Sequence, residues 1–112
     1  MKPTLVHSWE ETVITAKGYE ISLRMRLWMF TSGQYSAEFP EGYKFSWIAF
    51  NIEKSEQEFV LFDNHSKKPP HYHIDDKKKY VFFDWGSREK AEKLFFQKVQ
   101  ERFGYFELNL LE

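Results

Sequence analysis

The sequence contains no cysteine, and this absence excludes several classes of protein. Disulfide frameworks, thiolate zinc sites and cysteine nucleophiles all require the thiol. The chain also has no apolar run near the roughly 18 residues of a membrane span, and its first residues carry no apolar signal-peptide core. We therefore expect a cytoplasmic protein that does not associate with a membrane.

Neither sign of charge is in excess, because the formal net charge is −1 over 112 residues. The chain as a whole is therefore not a basic nucleic-acid binder. From Asn64 to Lys79, however, it holds five lysines and two aspartates, and a local patch of this kind is able to bind phosphate. The alternative is that these lysines are only a solvated surface.

Aromatic residues are abundant instead, at 20% of the chain. The length fits one domain, residues 1–112, and the core of one small domain does not need so many rings. We therefore expect some of them at the surface, where they can stack on bases or contact a partner protein.

Alternation of apolar and polar residues predicts strands over the first two thirds of the chain. In Tyr19–Phe30 one face is apolar throughout, and the polar face is broken only near its end, by Trp28 and Phe30. Residues Thr31–Gly42 are predicted as a loop. The other predicted strands are Thr12–Ala16, Tyr43–Ile52, Glu58–Asp63 and Lys79–Trp85.

A single helix is predicted near the end of the chain. Ser87 is a suitable N-cap, and Gly104 is placed to end the helix. An apolar stripe between them has three- and four-residue spacing: Ala91, Leu94, Phe95, Val99 and Phe103. The tail Tyr105–Leu111 is predicted to add an edge strand or to dock on a partner. The fold class is thus α+β, an antiparallel sheet of about four to six strands with one main C-terminal helix packed on one face.

The residues best suited to chemistry are three closely spaced histidines, His65, His71 and His73. His71 and His73 are two residues apart, so on extended backbone they point to the same side. Pro69 and Pro70 favour such a backbone.

Two histidines beside a phosphate are suited to metal-independent RNA cleavage, with one as base and one as acid. Lys67 or Lys68 would stabilise the charge that develops on phosphorus, and Asp63 and Asn64 would orient His65. No cofactor is required. Two alternatives stay open: the histidines could simply lie at the surface, or they could bind a metal. In the second case His71 and His73 would be joined by Asp84 or by one carboxylate of the pair Asp75-Asp76.

The segment Leu61–His73, followed by Tyr80–Trp85 and the helix that starts after Ser87, resembles the TumE-type proteins. These are the proposed toxin halves of small prokaryotic toxin–antitoxin pairs. Pro40–Trp47 also looks like the central strand of that family, so the resemblance covers about residues 40–104. It implies a cytoplasmic toxin that acts on RNA and is encoded near its antitoxin. The positions that carry over are Asp63, Asn64, His65, His71 and His73.

Two functions follow as hypotheses. The first is a small metal-independent ribonuclease toxin, with His71, His73 and His65 as catalytic residues and with substrate contacts from Asp63, Asn64, Lys67 and Lys68. The second is a non-catalytic module that binds RNA or a partner protein through its aromatic and lysine-rich surface.

Overall fold

The computed structural model describes residues 3–30, 39, 42–65 and 68–108. Its strands form one antiparallel sheet in chain order, β1 to β6, and the helix follows them. The predicted α+β class is confirmed. The elements are β1 (Thr4–Ile14), β2 (Glu20–Met29), β3 (Tyr43–Asn51), β4 (Phe59–His65), β5 (Lys68–Ile74), β6 (Val81–Phe82) and α1 (Arg88–Phe103), with a short 3-10 turn at Ile52–Lys54.

One face of the sheet packs against α1 and forms the core. The apolar residues of β2 and β3 that alternate toward the helix are fully buried, among them Leu23 and Trp47. On α1, Phe95 contacts the rings of Trp47 and Phe62. The apolar stripe predicted for the helix is buried except for Leu94, which is only half-buried.

Both predicted ends of the helix are confirmed. The Ser87 hydroxyl accepts a hydrogen bond from the backbone N–H of Lys90. At the other end, the N–H of Gly104 donates to the carbonyl of Gln100, and Gly104 has a φ of +100°. That φ suits glycine, because L side chains rarely adopt it.

Three strands differ from the prediction, and one of them, the predicted strand Lys79–Trp85, is reduced to the two residues of β6, Val81–Phe82. β1 begins at Thr4, not at Thr12, and pairs with the whole length of β2. β5 is a full strand and includes Pro69 and Pro70, which we expected to favour extended backbone without predicting a strand there. Prolines are tolerated at a bulge or beside a short neighbour. β5 has both, because it carries one extra residue where its pairing with β4 shifts between Asp63 and His65, and β6 is only two residues long.

The start of the tail docks on the chain's own core and adds no strand. Phe106 is buried, and the carbonyl of Tyr105 accepts a hydrogen bond from the backbone N–H of Ala16. Neither of the two predicted roles of the tail, an edge strand or docking on a partner, describes residues 105–108. The remaining tail residues lie outside the described part of the chain, as does the predicted loop Thr31–Gly42 apart from Phe39 and Gly42.

The second face of the sheet carries the side chains that alternate with the buried ones. We call it the open face, because α1, the one helix of the described chain, packs on the other side. Its residues include Arg24, Arg26 and Trp28 on β2, Lys44, Ser46 and Phe50 on β3, Asp63 on β4, and His71 and His73 on β5. None of the described helices is long and apolar enough to cross a membrane.

Candidate functional site

His71 and His73 point to the same side of β5, as their spacing predicts. Their ring centroids are 5.0 Å apart and both side chains are buried. The Nδ1 atom of His71 is 2.7 Å from the carbonyl oxygen of Pro69, and the Nδ1 atom of His73 is 3.0 Å from that of Lys79. A carbonyl oxygen only accepts, so both Nδ1 atoms carry the hydrogen. This leaves Nε2 of each ring for other chemistry.

Asp63 completes the cluster. Strand register places it directly opposite His71, and its Oδ1 is 2.8 Å from His71 Nε2. Both of these atoms are buried, and the contact does not have the angles of a hydrogen bond. Asp63 was predicted to contact RNA and to orient His65, whereas the structure brings it to His71. We call Asp63, His71 and His73 the His-Asp cluster.

The carboxylates that we considered as metal ligands lie elsewhere. Asp75 pairs with Arg102 on the helix at 2.9 Å. Asp76 accepts a hydrogen bond from the backbone N–H of Lys78. Asp84 is exposed. The His-Asp cluster is the group of acidic and histidine side chains, among the described residues, that lie close enough together to share one ion.

Burial governs the charge of His71. Desolvation lowers its pKa, because the imidazolium loses its water. The Pro69 carbonyl and the Asp63 carboxylate act in the opposite direction, and His73 and His65 lower the pKa further. Desolvation has the largest effect, so the pKa of His71 lies below the ordinary histidine value.

Of the other predicted site residues, His65 and Lys68 lie near the cluster. His65 is exposed at the end of β4, with its ring centroid 5.6 Å from that of His71. The Lys68 ammonium stands 4.6 Å from the centroid of the Tyr80 ring. Lys67 lies outside the described residues.

Asn64 is turned to the other face of the sheet. Its side-chain oxygen accepts from the N–H of Phe45, and its side-chain nitrogen donates to the carbonyl of Tyr43. Since both groups bind the backbone of β3, Asn64 holds strands together and is not directed toward the cluster.

Sequence reasoning missed the two rings that cover the cluster. Tyr80 lies 4.9 Å from His71 and 4.6 Å from His73 between ring centroids, and Phe82 lies 5.7 Å from His71. Both rings remain at least 40% exposed. Tyr80 and Phe82 are two residues apart, which indicates that their side chains share one side of an extended backbone. Which residues the two rings cover depends on the pairing of β6 with β5.

The open face also places cations over aromatic rings. Lys44 stands over Trp28, which explains why an aromatic residue interrupts the polar side of β2. The other pairs on this face are Arg24 over Phe50, Lys77 over Phe59 and Lys68 over Tyr80. The open face therefore combines positive charge with rings, beside a cluster of imidazoles and a carboxylate.

No protein-family model matches the chain, and no curated protein or solved structure does either. The function is therefore argued from the geometry of the site.

Proposed function

We propose that this protein binds single-stranded RNA across the open face of its sheet. The observation that carries this proposal is the set of four cations that stand over aromatic rings on that face. Proteins that bind single strands combine positive charge, which follows the phosphates, with rings on which bases stack. Arg26 is exposed beside these pairs.

The salt dependence of binding tests this proposal. Arg24 is paired with Glu10 at 2.9 Å, so Arg26 and Lys44 are the better residues to replace. If both contact phosphates, the Arg26→Ala/Lys44→Ala variant should make the plot of log affinity against log salt shallower by about 1.4, at about 0.7 per contact. Fluorescence anisotropy of a labelled single-stranded RNA measures this slope.

A matched control removes the same charge from the helix side. Lys90 and Lys93 are exposed on α1, so Lys90→Ala/Lys93→Ala should leave the slope unchanged. A slope that falls equally in both variants, or in neither, would refute binding on the open face. Replacing Lys77, Lys78 and Lys79 by Ala tests whether the predicted lysine patch extends this surface, since an unchanged slope would show that these lysines are only solvated.

The second candidate function is cleavage of the bound RNA, by a toxin whose antitoxin is encoded nearby. One observation favours it: His65, His71, His73 and Asp63 gather on the same side of the sheet as the cations. This arrangement agrees with the resemblance to TumE-type proteins. A cytoplasmic toxin of this kind would have its scissile phosphate between the cluster and Lys68.

Gel analysis of an end-labelled RNA tests cleavage. If the histidines transfer protons, His71→Ala and His73→Ala should each lower the rate by about 10²–10⁴-fold. His7→Ala is the control, because His7 lies on the helix side of the sheet between β1 and α1. RNA that stays intact with the wild-type protein, with and without added divalent ions, would leave the non-catalytic binding module as the function.

A further inference from the structure

We propose that the His-Asp cluster binds one divalent transition-metal ion, with Zn²⁺ as the ion that fits best. One ligand atom from each of Asp63, His71 and His73 lies within 4.8 Å of the others. Ions of this class hold nitrogen and oxygen ligands at about 2.0–2.2 Å.

The hydrogen bonds of the two imidazoles are those of metal ligands. A histidine that binds a metal through one nitrogen almost always donates the hydrogen of the other to a carbonyl, a carboxylate or water. His71 and His73 both do so, to the carbonyls of Pro69 and Lys79. Both rings are thereby fixed in the tautomer whose Nε2 carries a lone pair.

The contact between His71 and Asp63 supports the same assignment. With Nδ1 donating its hydrogen to the Pro69 carbonyl, Nε2 of His71 lies 2.8 Å from a carboxylate oxygen. Both atoms are buried and neither has a hydrogen-bond partner among the described residues. Two buried acceptors held this close without a hydrogen between them are unfavourable. A cation bound by both removes this conflict.

An N–H directed from Nε2 to Oδ1 would also satisfy the pair, but the contact does not have the angles of that bond. Two ligand atoms that bind the same ion direct their lone pairs at the ion and not at each other, so they do not require those angles. His71 is 0% exposed, so water has little access to this nitrogen. The geometry of the cluster is therefore closer to a coordination site than to an ion pair.

The donor set indicates the class of ion. Imidazole suits Zn²⁺ and its neighbours in the first transition row, whereas Mg²⁺ and Ca²⁺ prefer oxygen ligands only. Three protein ligands leave one position of a tetrahedral ion for solvent or substrate. The side chain of Asp63 is 26% exposed on the open face, which gives that position a route to bound RNA.

This inference deepens the proposed cleavage site and, as a statement about RNA chemistry, rests on that function, with His71 and His73 then acting as zinc ligands and not as the groups that transfer protons. Metal binding itself is measured without RNA, so the two can fail separately. The experiment is calorimetric titration of ZnCl₂ into the full chain after treatment with EDTA and buffer exchange. Co²⁺ serves as a second probe, because its visible absorption reports ligand number.

We expect one Zn²⁺ per chain. Removing a residue that only hydrogen-bonds to a metal ligand lowers metal affinity by about 10–100-fold. His73→Ala and Asp63→Asn remove the ligands themselves, so each should lower the Zn²⁺ affinity by at least about 100-fold. The control His7→Ala should bind as the wild type does. Circular dichroism melting in EDTA shows whether each variant is folded.

His71→Ala opens a cavity at a fully buried position and is the variant most at risk of not folding. His73→Ala and Asp63→Asn then carry the test, because Asp63→Asn keeps the volume of its side chain. Wild-type protein without one-to-one Zn²⁺ binding would overturn the proposal. So would folded His73→Ala and Asp63→Asn variants that bind Zn²⁺ as tightly as the wild type.

Discussion

Replacing Phe95 by alanine should remove the main contact between the helix and the sheet. The side chain is fully buried, and its ring lies 5.8 Å from Trp47, 5.3 Å from Phe62 and 5.2 Å from Phe96 between centroids. A Phe→Ala change in a core costs about 3–5 kcal/mol. Three aromatic neighbours place this residue near the upper end, since each aromatic pair contributes about 0.5–1.5 kcal/mol beyond burial.

The assay is urea unfolding followed by circular dichroism. A domain of this size has a free energy of unfolding of about 5–15 kcal/mol, so the loss is a large part of the total. With a slope of about 1–3 kcal/mol per molar urea, the midpoint should fall by more than about 1 M. Leu94→Ala is the control, because Leu94 lies on the same helix but is only half-buried.

We expect Leu94→Ala to cost less than half as much as Phe95→Ala. A loss below about 1 kcal/mol for Phe95→Ala would mean that the apolar stripe of the helix does not face the sheet, since buried Phe→Ala changes cost several times more. Equal losses for the two variants would refute the argument from burial.

Two further predictions concern residues that shape the scaffold. Asn64→Ala should lower the free energy of unfolding in urea by about 2–4 kcal/mol, because it leaves the Phe45 N–H and the Tyr43 carbonyl without their partner. The RNA affinity of the folded variant should not change. A selective loss of affinity would instead make Asn64 a contact residue. Gly104→Ala should lower the free energy of unfolding by about 1–3 kcal/mol, because its φ of +100° strains any L side chain and the added methyl would lie 2.8 Å from Lys17 Cγ. A thermal melting temperature equal to that of the wild type would contradict this prediction.

The sequence predicts most of the strands because the helix covers one face of the sheet, and side chains that point to that face have to be apolar. β2 and β3 alternate between buried and open sides, so their periodicity is strong, and the stripe of α1 is strong for the same reason. β1 is an edge strand, and its first half has exposed or half-buried residues only. Without a consistently buried side its alternation is weak, and the prediction began eight residues too late, at Thr12.

The site could be predicted only in part. That His71 and His73 share a side follows from their spacing on extended backbone. That Asp63 joins them depends on strand register, which the bulge between Asp63 and His65 sets. A bulge shifts every following pair, and no local pattern in this sequence marks it. The carboxylates named from the sequence as possible metal ligands, Asp84 and the pair Asp75-Asp76, therefore lie away from the two histidines.

The short edge strand explains why this cluster is oriented as it is. β6 pairs with β5 only at His71 and Tyr72, so the backbone beyond each end of β6 has carbonyls that the ladder does not use. The carbonyl of Pro69 lies beyond one end and that of Lys79 beyond the other, and these two accept the Nδ1–H groups of the histidines. A longer β6 that paired Lys79 with β5 would compete for the Lys79 carbonyl, which accepts the Nδ1–H of His73. The two-residue length of β6 thus helps to fix the orientation of His73.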